Sequence, residues 1–475
     1  MYKRVDKGFI RKLEKIVGED NLILEEERLL DYSHDEFSLK EIARLPEVVV
    51  KPRSSLEVSR VLICANEEKV PVTPRGGATG LCGGCVPVWG GIVLSLEKMN
   101  RIIEVDRDNQ MAVVEAGVTL KNFVSAVEDA GLFFPPHPGE ESAMIGGLIA
   151  TNAGGSRAVK YGVMRNYVRG VEVVLPQGAV LNLGGKLMKG SSGYSLLNLI
   201  IGSEGTLGVI TRAIIQLLPP PRLTRTLIIP FTDLEEAIET VPLLIKQKIL
   251  PLAVEFIPLE IIQITEERLM KKWPSSVGET HLLIILDAPT EEEMDRLSQE
   301  VAEVCLQKNA LDVLVAETQK KQADILEIRS KIYEALKLYT VEVFDIVVPR
   351  GEIARHVKRV KEIGQKYGVW LPTFGHAADG NVHTHLMKAR FEEGKMIPIE
   401  EKVWRNALEG VRKELYLDCK HRGGLVSGEH GIGLVKKPYL SIVLDPQELC
   451  LMKGIKKLFD PNNILNPGKI FELKI

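Results

Sequence analysis

Pro74-Arg75-Gly76-Gly77-Ala78-Thr79-Gly80-Leu81-Cys82-Gly83-Gly84 follows directly on the apolar run Val70-Pro71-Val72. Its glycines remove the side chains that would keep a ligand off the main chain, and they permit the φ > 0 conformations that turn successive N–H groups into one concavity. A loop of that kind can hold a diphosphate. The spacing is neither that of the dinucleotide fingerprint nor that of the nucleotide phosphate loop, and a tight turn would use glycine equally well.

Three further stretches bear on that choice. Pro135-Pro136-His137-Pro138-Gly139 leads into Ser142-Ala143-Met144-Ile145-Gly146-Gly147-Leu148-Ile149-Ala150-Thr151-Asn152-Ala153-Gly154-Gly155-Ser156; Gly202-Ser203-Glu204-Gly205-Thr206-Leu207-Gly208-Val209-Ile210 and Asn463-Ile464-Leu465-Asn466-Pro467-Gly468-Lys469 follow. Together the four stretches resemble the FAD-binding half of the vanillyl-alcohol oxidase / p-cresol methylhydroxylase (VAO/PCMH) flavoproteins. The later part of the chain narrows the resemblance to the FAD-linked D-2-hydroxy-acid dehydrogenases, the group that includes glycolate oxidase flavin subunits and D-lactate dehydrogenases.

The resemblance implies an α+β, two-domain flavoprotein with a VAO/PCMH-type FAD-binding domain and a ferredoxin-like α+β cap domain. It places FAD on Pro74, Arg75, Gly76, Gly77, Ala78, Thr79, Gly80 and Leu81; on Pro138, Gly139, Ser142, Gly146, Gly147, Thr151, Asn152, Gly155 and Ser156; and on Gly205, Ile210 and Asn466. The expected attachment is non-covalent. Relatives that tether the flavin often use a histidine in or near the glycine loop, and residues 75–79 offer none; His137 is the one candidate for an exception.

With 475 residues, 61 basic and 64 acidic, the chain has a formal net charge of −3 and no long charge blocks. Nothing in this balance points to nucleic acid. No apolar run reaches the ~18 residues that cross a bilayer, and the N-terminus lacks the apolar core of a secretion signal. Val5, Phe9, Leu13, Ile16 and Val17 fall at helical spacing, and the mixed charge of the opposite face predicts a helix on the protein surface rather than on a membrane. The scattered Cys64, Cys82, Cys85, Cys305, Cys419 and Cys450 suit a reducing compartment, hence a cytoplasmic protein. Cys82 and Cys85 have redox-motif spacing but sit where the loop needs small side chains, so packing is the expected role.

Glu47–Pro52, a helix opened by Ser54 or Ser55, and Val70–Val72 form a strand–helix–strand unit that delivers the glycine loop to a sheet edge. Hairpins are expected about 106–109 and 177–178, with a helix capped by Thr119 between them. Pro219-Pro220-Pro221 can neither continue a ladder nor begin a helix, and marks a boundary. Beyond it, strands at 226–230, 253–257, 281–287 and 312–316 alternate with helices over 232–247, 290–309 and 320–337, read as a sheet covered by helices on one side. The domains so drawn are an N-terminal helical segment 1–42, the FAD-binding domain 43–221, a substrate or cap domain with a metal site 222–440, and a segment 441–475 returning to the FAD domain.

Gly375-His376-Ala377-Ala378-Asp379-Gly380-Asn381-Val382-His383-Thr384-His385 holds three of the nine histidines. Seven residues along a straight helix would part His376 from His383 by about 10 Å, and along a strand would point them to opposite faces. Only a turn joins them, and Asp379-Gly380-Asn381 is turn chemistry. Ser427-Gly428-Glu429-His430-Gly431-Ile432-Gly433 sets an acid beside another histidine.

In the family that the chain resembles these stretches form the substrate site. The resemblance implies His376, His383 and Glu429 as ligands of a divalent metal (zinc, iron or manganese), His430 as base, and Arg329 as the clamp on the substrate carboxylate. Two histidines and a carboxylate make a sensible open metal site. His385 stands where relatives acting on D-2-hydroxyglutarate have an asparagine; it is an extra ligand or a different substrate contact. Ala378 replaces a usual glycine of the turn. The lysine that binds a second carboxylate in those relatives has no counterpart around Val341–Phe344, which argues for a monocarboxylate.

The expected reaction is oxidation of a D-2-hydroxy acid to the 2-oxo acid by FAD, with D-lactate first and glycolate second. A metal-dependent hydrolase built on His376, His383 and Glu429 is the competing class, and a flavin-binding subunit without its own substrate is a third reading. With no nicotinamide fingerprint and no iron–sulfur cysteine set, electrons are expected to leave to a separate protein, either electron-transfer flavoprotein or an iron–sulfur subunit.

Overall fold

The computed structural model describes residues 2–37, 39–316 and 318–472. The chain divides into two bodies: Met1–Gly154 with Val163–Pro220 and Glu429–Ile475, and Pro221–Gly428 with Gly155–Gly162. The division at Pro220–Pro221 falls in the proline run. The second body ends at Gly428 rather than at 440, and the octapeptide Gly155–Gly162, with Gly155 and Ser156 of the expected flavin residues, is assigned to it.

The first body begins with helix Lys7–Val17, whose N-cap Asp6 accepts the Phe9 N–H at 2.8 Å and whose Phe9, Leu13 and Val17 are buried. That stripe turns inward against helix Ser55–Glu68, as its spacing predicts. Strands Val48–Val50 and Val72–Arg75 lie parallel on either side of Ile92–Ser95, and Leu22–Ile23 adds an antiparallel edge. Val48, Val49, Val50, Ile92, Val93 and Leu94 are all fully buried, as strands covered on both faces require. A second, antiparallel sheet runs Ile102–Asp106, Met111–Glu115, Val209–Gln216, Val168–Val174, Val180–Gly184. The C-terminal stretch rejoins the first sheet: Val72 N–H donates to Ile464 at 2.8 Å, and Asn466 N–H donates to Val72 at 2.7 Å.

The second body is built on a seven-stranded sheet in the spatial order Leu314–Val315, Leu223–Phe231, Thr280–Ala288, Ala253–Pro258, Thr373–His376, Asn381–Met387, Thr340–Val347, antiparallel at every pairing. Helices cover both faces rather than one. Ile228, Leu283, Phe374 and Met387 pack with helices Leu259–Leu269, Gln319–Ser330 and Ile332–Leu336. The alternate residues Leu227, Ile229, Leu282 and Ile284 are equally buried and point the other way, toward helices Leu234–Lys246 and Glu291–Gln307. The helix expected over 320–337 breaks at Lys331, where φ is −94° and ψ 6°. The strand expected at 312–316 shrinks to the two edge residues Leu314–Val315. No helix among the described residues is long and apolar enough to cross a membrane.

Candidate active site

Strand Val72–Arg75 carries Pro74 and Arg75 to the sheet edge, where the glycine loop begins. The loop lies against the second expected flavin stretch: a Cβ on Gly77 would stand 2.9 Å from the Ser142 carbonyl oxygen, and one on Gly76 3.5 Å from the Met144 Cβ. Ala78 takes φ 57° and Gly83 φ 72°, the conformations that turn N–H groups to one side. Gly139 and Gly147 have no other atom within 4 Å of where a Cβ would be. Bare backbone facing open space at Gly139 and Gly147, beside a loop whose glycines let it pack against that stretch, fits a group as large and anionic as FAD.

Several of the expected flavin residues have structural work in addition. Arg75 donates to the backbone of Asp31 and His34 at 2.8 and 2.7 Å and lies over the Tyr32 ring. Asn152 is the left-handed C-cap of helix Ile145–Thr151. Gly205 packs on Pro74, and Ile210 is buried in a central strand. Asn466, 2% exposed, donates through Nδ2 to the carbonyls of Gly84 and Glu204. Neither Cys82 nor Cys85 is in a disulfide, and the Cys82 thiol donates to the Gly431 carbonyl. Burial pushes the Cys85 thiol up to about 11, so it stays protonated at neutral pH, in keeping with packing.

Glu429 and His430 open the C-terminal stretch of the same body, with His430 Nε2 3.8 Å from Glu429 Oε1. A Cβ on Gly154 would stand 2.7 Å from Glu429 Oε2, so that glycine makes room for the carboxylate. The turn that follows is held by a residue of the third flavin stretch to which the sequence assigned no role: Glu204 accepts the N–H groups of Ile432 and Gly433, both at 2.8 Å. Burial raises the Glu204 carboxyl, and those two N–H groups oppose the rise.

In the second body the expected turn exists. Thr373–His376 and Asn381–Met387 form a hairpin in which Phe374 faces His383 and His376 faces Asn381, so both histidines lie on one face of the sheet. Their Nε2 atoms are 3.5 Å apart with the rings nearly perpendicular. His376 Nδ1 meets Glu255 Oε1 at 2.5 Å, and the carboxylate keeps the proton on Nδ1 and the lone pair on Nε2. Two Nε2 ligands of a tetrahedral ion would sit about 3.4 Å apart, so the pair fits a divalent metal. His385, on the same face, meets the Thr340 hydroxyl at 3.0 Å through Nδ1 and packs on Phe374 and Tyr333.

Arg329 reaches the same face from helix Gln319–Ser330, with its guanidinium over Phe374 and bonded to Glu255. Burial alone would push the Glu255 carboxyl up; Arg329 and His376 outweigh it and hold it below its ordinary value. Asp345, opposite His383 in the register, accepts Asn381 Nδ2 at 2.8 Å, the Ser427 hydroxyl at 2.8 Å and the Gly428 N–H at 3.0 Å. It ties the histidine hairpin to the residues just before Glu429.

A family model described as "FAD binding domain" matches residues 46–184, and one described as "FAD linked oxidases, C-terminal domain" matches residues 220–470. The chain is 48% identical to a D-lactate dehydrogenase of Archaeoglobus fulgidus over 89% of its own length and 91% of that protein's. It is 40% identical to a D-lactate dehydrogenase of Anaerostipes hadrus, covering 99% and 98%, and 37% identical to glycolate oxidase subunit GlcD of Bacillus subtilis, covering 98% and 97%. Among solved structures, p-cresol methylhydroxylase with substrate bound superposes with a TM-score of 0.80 over 99% of each chain at 19% identity, a likeness of fold.

Proposed function

We propose, from the premise that this chain belongs to the FAD-linked oxidases, that it oxidises a D-2-hydroxy acid to the 2-oxo acid, with D-lactate as substrate. FAD-dependent oxidation of hydroxy acids is the activity of the family's relatives at this similarity. The choice of D-lactate rests on the two D-lactate dehydrogenases at 48% and 40% identity. Glycolate, also a monocarboxylate, is the second substrate to consider, on the 37% likeness to GlcD.

The observation that carries the reading is the pair of Nε2 atoms 3.5 Å apart on a buried sheet face that also carries the Arg329–Glu255 pair. FAD, when bound on the glycine stretches without a covalent bond, supplies the hydride acceptor. A divalent ion on His376, His383 and Glu429, when bound, lowers the pKa of the substrate hydroxyl. Arg329 takes the substrate carboxylate, which a planar guanidinium does in two-point fashion. His430 accepts the hydroxyl proton as the C–H bond at the α-carbon breaks and its electron pair leaves as hydride. His385, with Nδ1 bonded to the Thr340 hydroxyl on the same sheet face, is read as a substrate contact rather than an extra ligand.

Electrons then leave to a separate protein, with electron-transfer flavoprotein preferred and an iron–sulfur subunit as the alternative. The test is anaerobic addition of D-lactate, glycolate and D-2-hydroxyglutarate to the purified yellow protein. Bleaching of the flavin fastest with D-lactate is the expected result. A colourless preparation that does not take up FAD, or a flavin that none of the three reduces, refutes the reading.

A further inference from the structure

Glu255 stands in the middle of the apolar strand Ala253–Pro258, 1% exposed, and its two oxygens are divided between two partners. Oε1 takes Nδ1 of His376, which faces it in the strand register; Oε2 takes Nε of Arg329 at 2.7 Å, and Nη2 as well. The guanidinium is pressed on its other side by the Phe374 ring, 5.5 Å from Cζ. Nη1 of Arg329 makes no hydrogen bond among the described residues.

Resting on the reading above, in which His376 is a metal ligand and Arg329 clamps the substrate carboxylate, we infer that Glu255 is the positioning residue that sets both groups at once. Toward His376 it fixes the tautomer and the ring orientation and raises the basicity of Nε2, as a carboxylate behind a ligating histidine does. Toward Arg329 it holds the Nε/Nη2 edge of the guanidinium, so that the end formed by Nη1 and the second N–H of Nη2 is the edge left for a two-point contact with substrate. Because one carboxylate is bonded to both, Glu255 holds His376 and Arg329 at one spacing. A 2-hydroxy acid carries its hydroxyl and carboxylate on adjacent carbons and a 3-hydroxy acid carries them one carbon further apart, so the two acids report on that spacing.

The experiment uses the full-length flavoprotein stripped of metal with a chelator. Zinc and manganese(II) are titrated into wild type, Glu255→Gln and Glu255→Asp by calorimetry, alongside steady-state kinetics with D-lactate and D-3-hydroxybutyrate. Glu255→Gln is expected to bind metal about 10- to 100-fold more weakly, with KM for D-lactate raised and the FAD content unchanged. Glu255→Asp, which keeps the charge but shortens the reach, should fall between the two, and it carries the test if the glutamine variant does not fold. The inference is overturned if wild type binds metal and Glu255→Gln, or failing it Glu255→Asp, binds it within twofold with the same KM. A wild type that binds neither ion and turns over no 2-hydroxy acid overturns the underlying reading instead.

Discussion

Lys456→Met tests whether the C-terminal return is what keeps the flavin loop in shape. Lys456 lies in helix Pro446–Phe459, 3% exposed, and its ammonium donates to the carbonyls of Thr206 and Leu465, each at 2.8 Å, and to the Asp460 carboxylate. Asp460 in turn accepts the N–H groups of Ile464 at 3.1 Å and Leu465 at 2.8 Å. Methionine fills nearly the same volume, so the cavity contribution is small and the loss is electrostatic. Removing one partner of a buried ion pair costs about 3–5 kcal/mol, because the other charge is left uncompensated.

The segment so weakened places Asn466, whose side chain holds the Gly84 and Glu204 carbonyls. Since 1.4 kcal/mol is about tenfold in an equilibrium constant, opening this stretch should become at least 100-fold easier, and FAD at least tenfold weaker in affinity. The assay follows the fluorescence of FAD released on dilution. Adding Asp460→Asn to the same chain removes the orphaned charge and should restore part of the affinity. A single variant that keeps FAD as wild type does, or a double variant no better than the single, refutes the reasoning.

His430→Asn should keep the flavin spectrum and metal content but lose about 10²- to 10⁴-fold in turnover, the usual cost of removing a general base; flavin reduction at near wild-type speed in stopped flow assigns the base elsewhere. Arg329→Lys should raise KM for D-lactate far more than it lowers kcat, because a point charge cannot reproduce the two-point clamp, and an unchanged KM removes Arg329 from the substrate site. Asp35, buried against the N–H groups of Phe37 and Gly84, has its carboxyl pushed up to about 6 by burial. A folded value above the ordinary 3.8 means that stability present below pH 4 is lost as pH rises through 6, about 3 kcal/mol in all. Asp35→Asn should therefore gain on wild type in melting temperature as pH rises from about 4 to 6; parallel pH curves for the two over that interval would contradict it.

The glycine loop, the histidine turn and the proline boundary were legible because each depends on local chemistry: φ > 0 backbone, a seven-residue step that only a turn can close, three residues without ladder donors. The covered second face of the sheet was missed, although the unbroken run Leu282-Leu283-Ile284-Ile285-Leu286 carried its signal, since a strand with one wet face alternates. The break at Lys331 was not legible. Helical periodicity continues through it: Ile328 and Ile332, four residues apart, enter one core as they would from a single unbroken helix. Nor did local pattern mark the return at Glu429, which is set by the contacts of Gly431 to Val435 with Cys82 and Glu204.

Glu255, Asp345, Glu204 and Lys456 were missed for a common reason, and a signal for some of them existed. A carboxylate inside Ala253-Val254-Glu255-Phe256-Ile257 or Val343-Phe344-Asp345-Ile346-Val347 cannot be left unpaired, so each such residue announces a partner far away in sequence without saying which. The structure supplies the partners: His376 and Arg329 for Glu255, Asn381 and Ser427 with Gly428 for Asp345, Ile432 and Gly433 for Glu204. Apolar burial drives the two bodies to fold but is non-directional, and it tolerates small shifts of any of these segments. Hydrogen bonds to buried charges do not, because an unmade one leaves its donor or acceptor unsatisfied. Each of these acids therefore fixes the position of a stretch that carries proposed chemistry, which is why their substitution should disturb metal affinity, KM and flavin retention in ways that replacing a neighbouring valine or isoleucine would not.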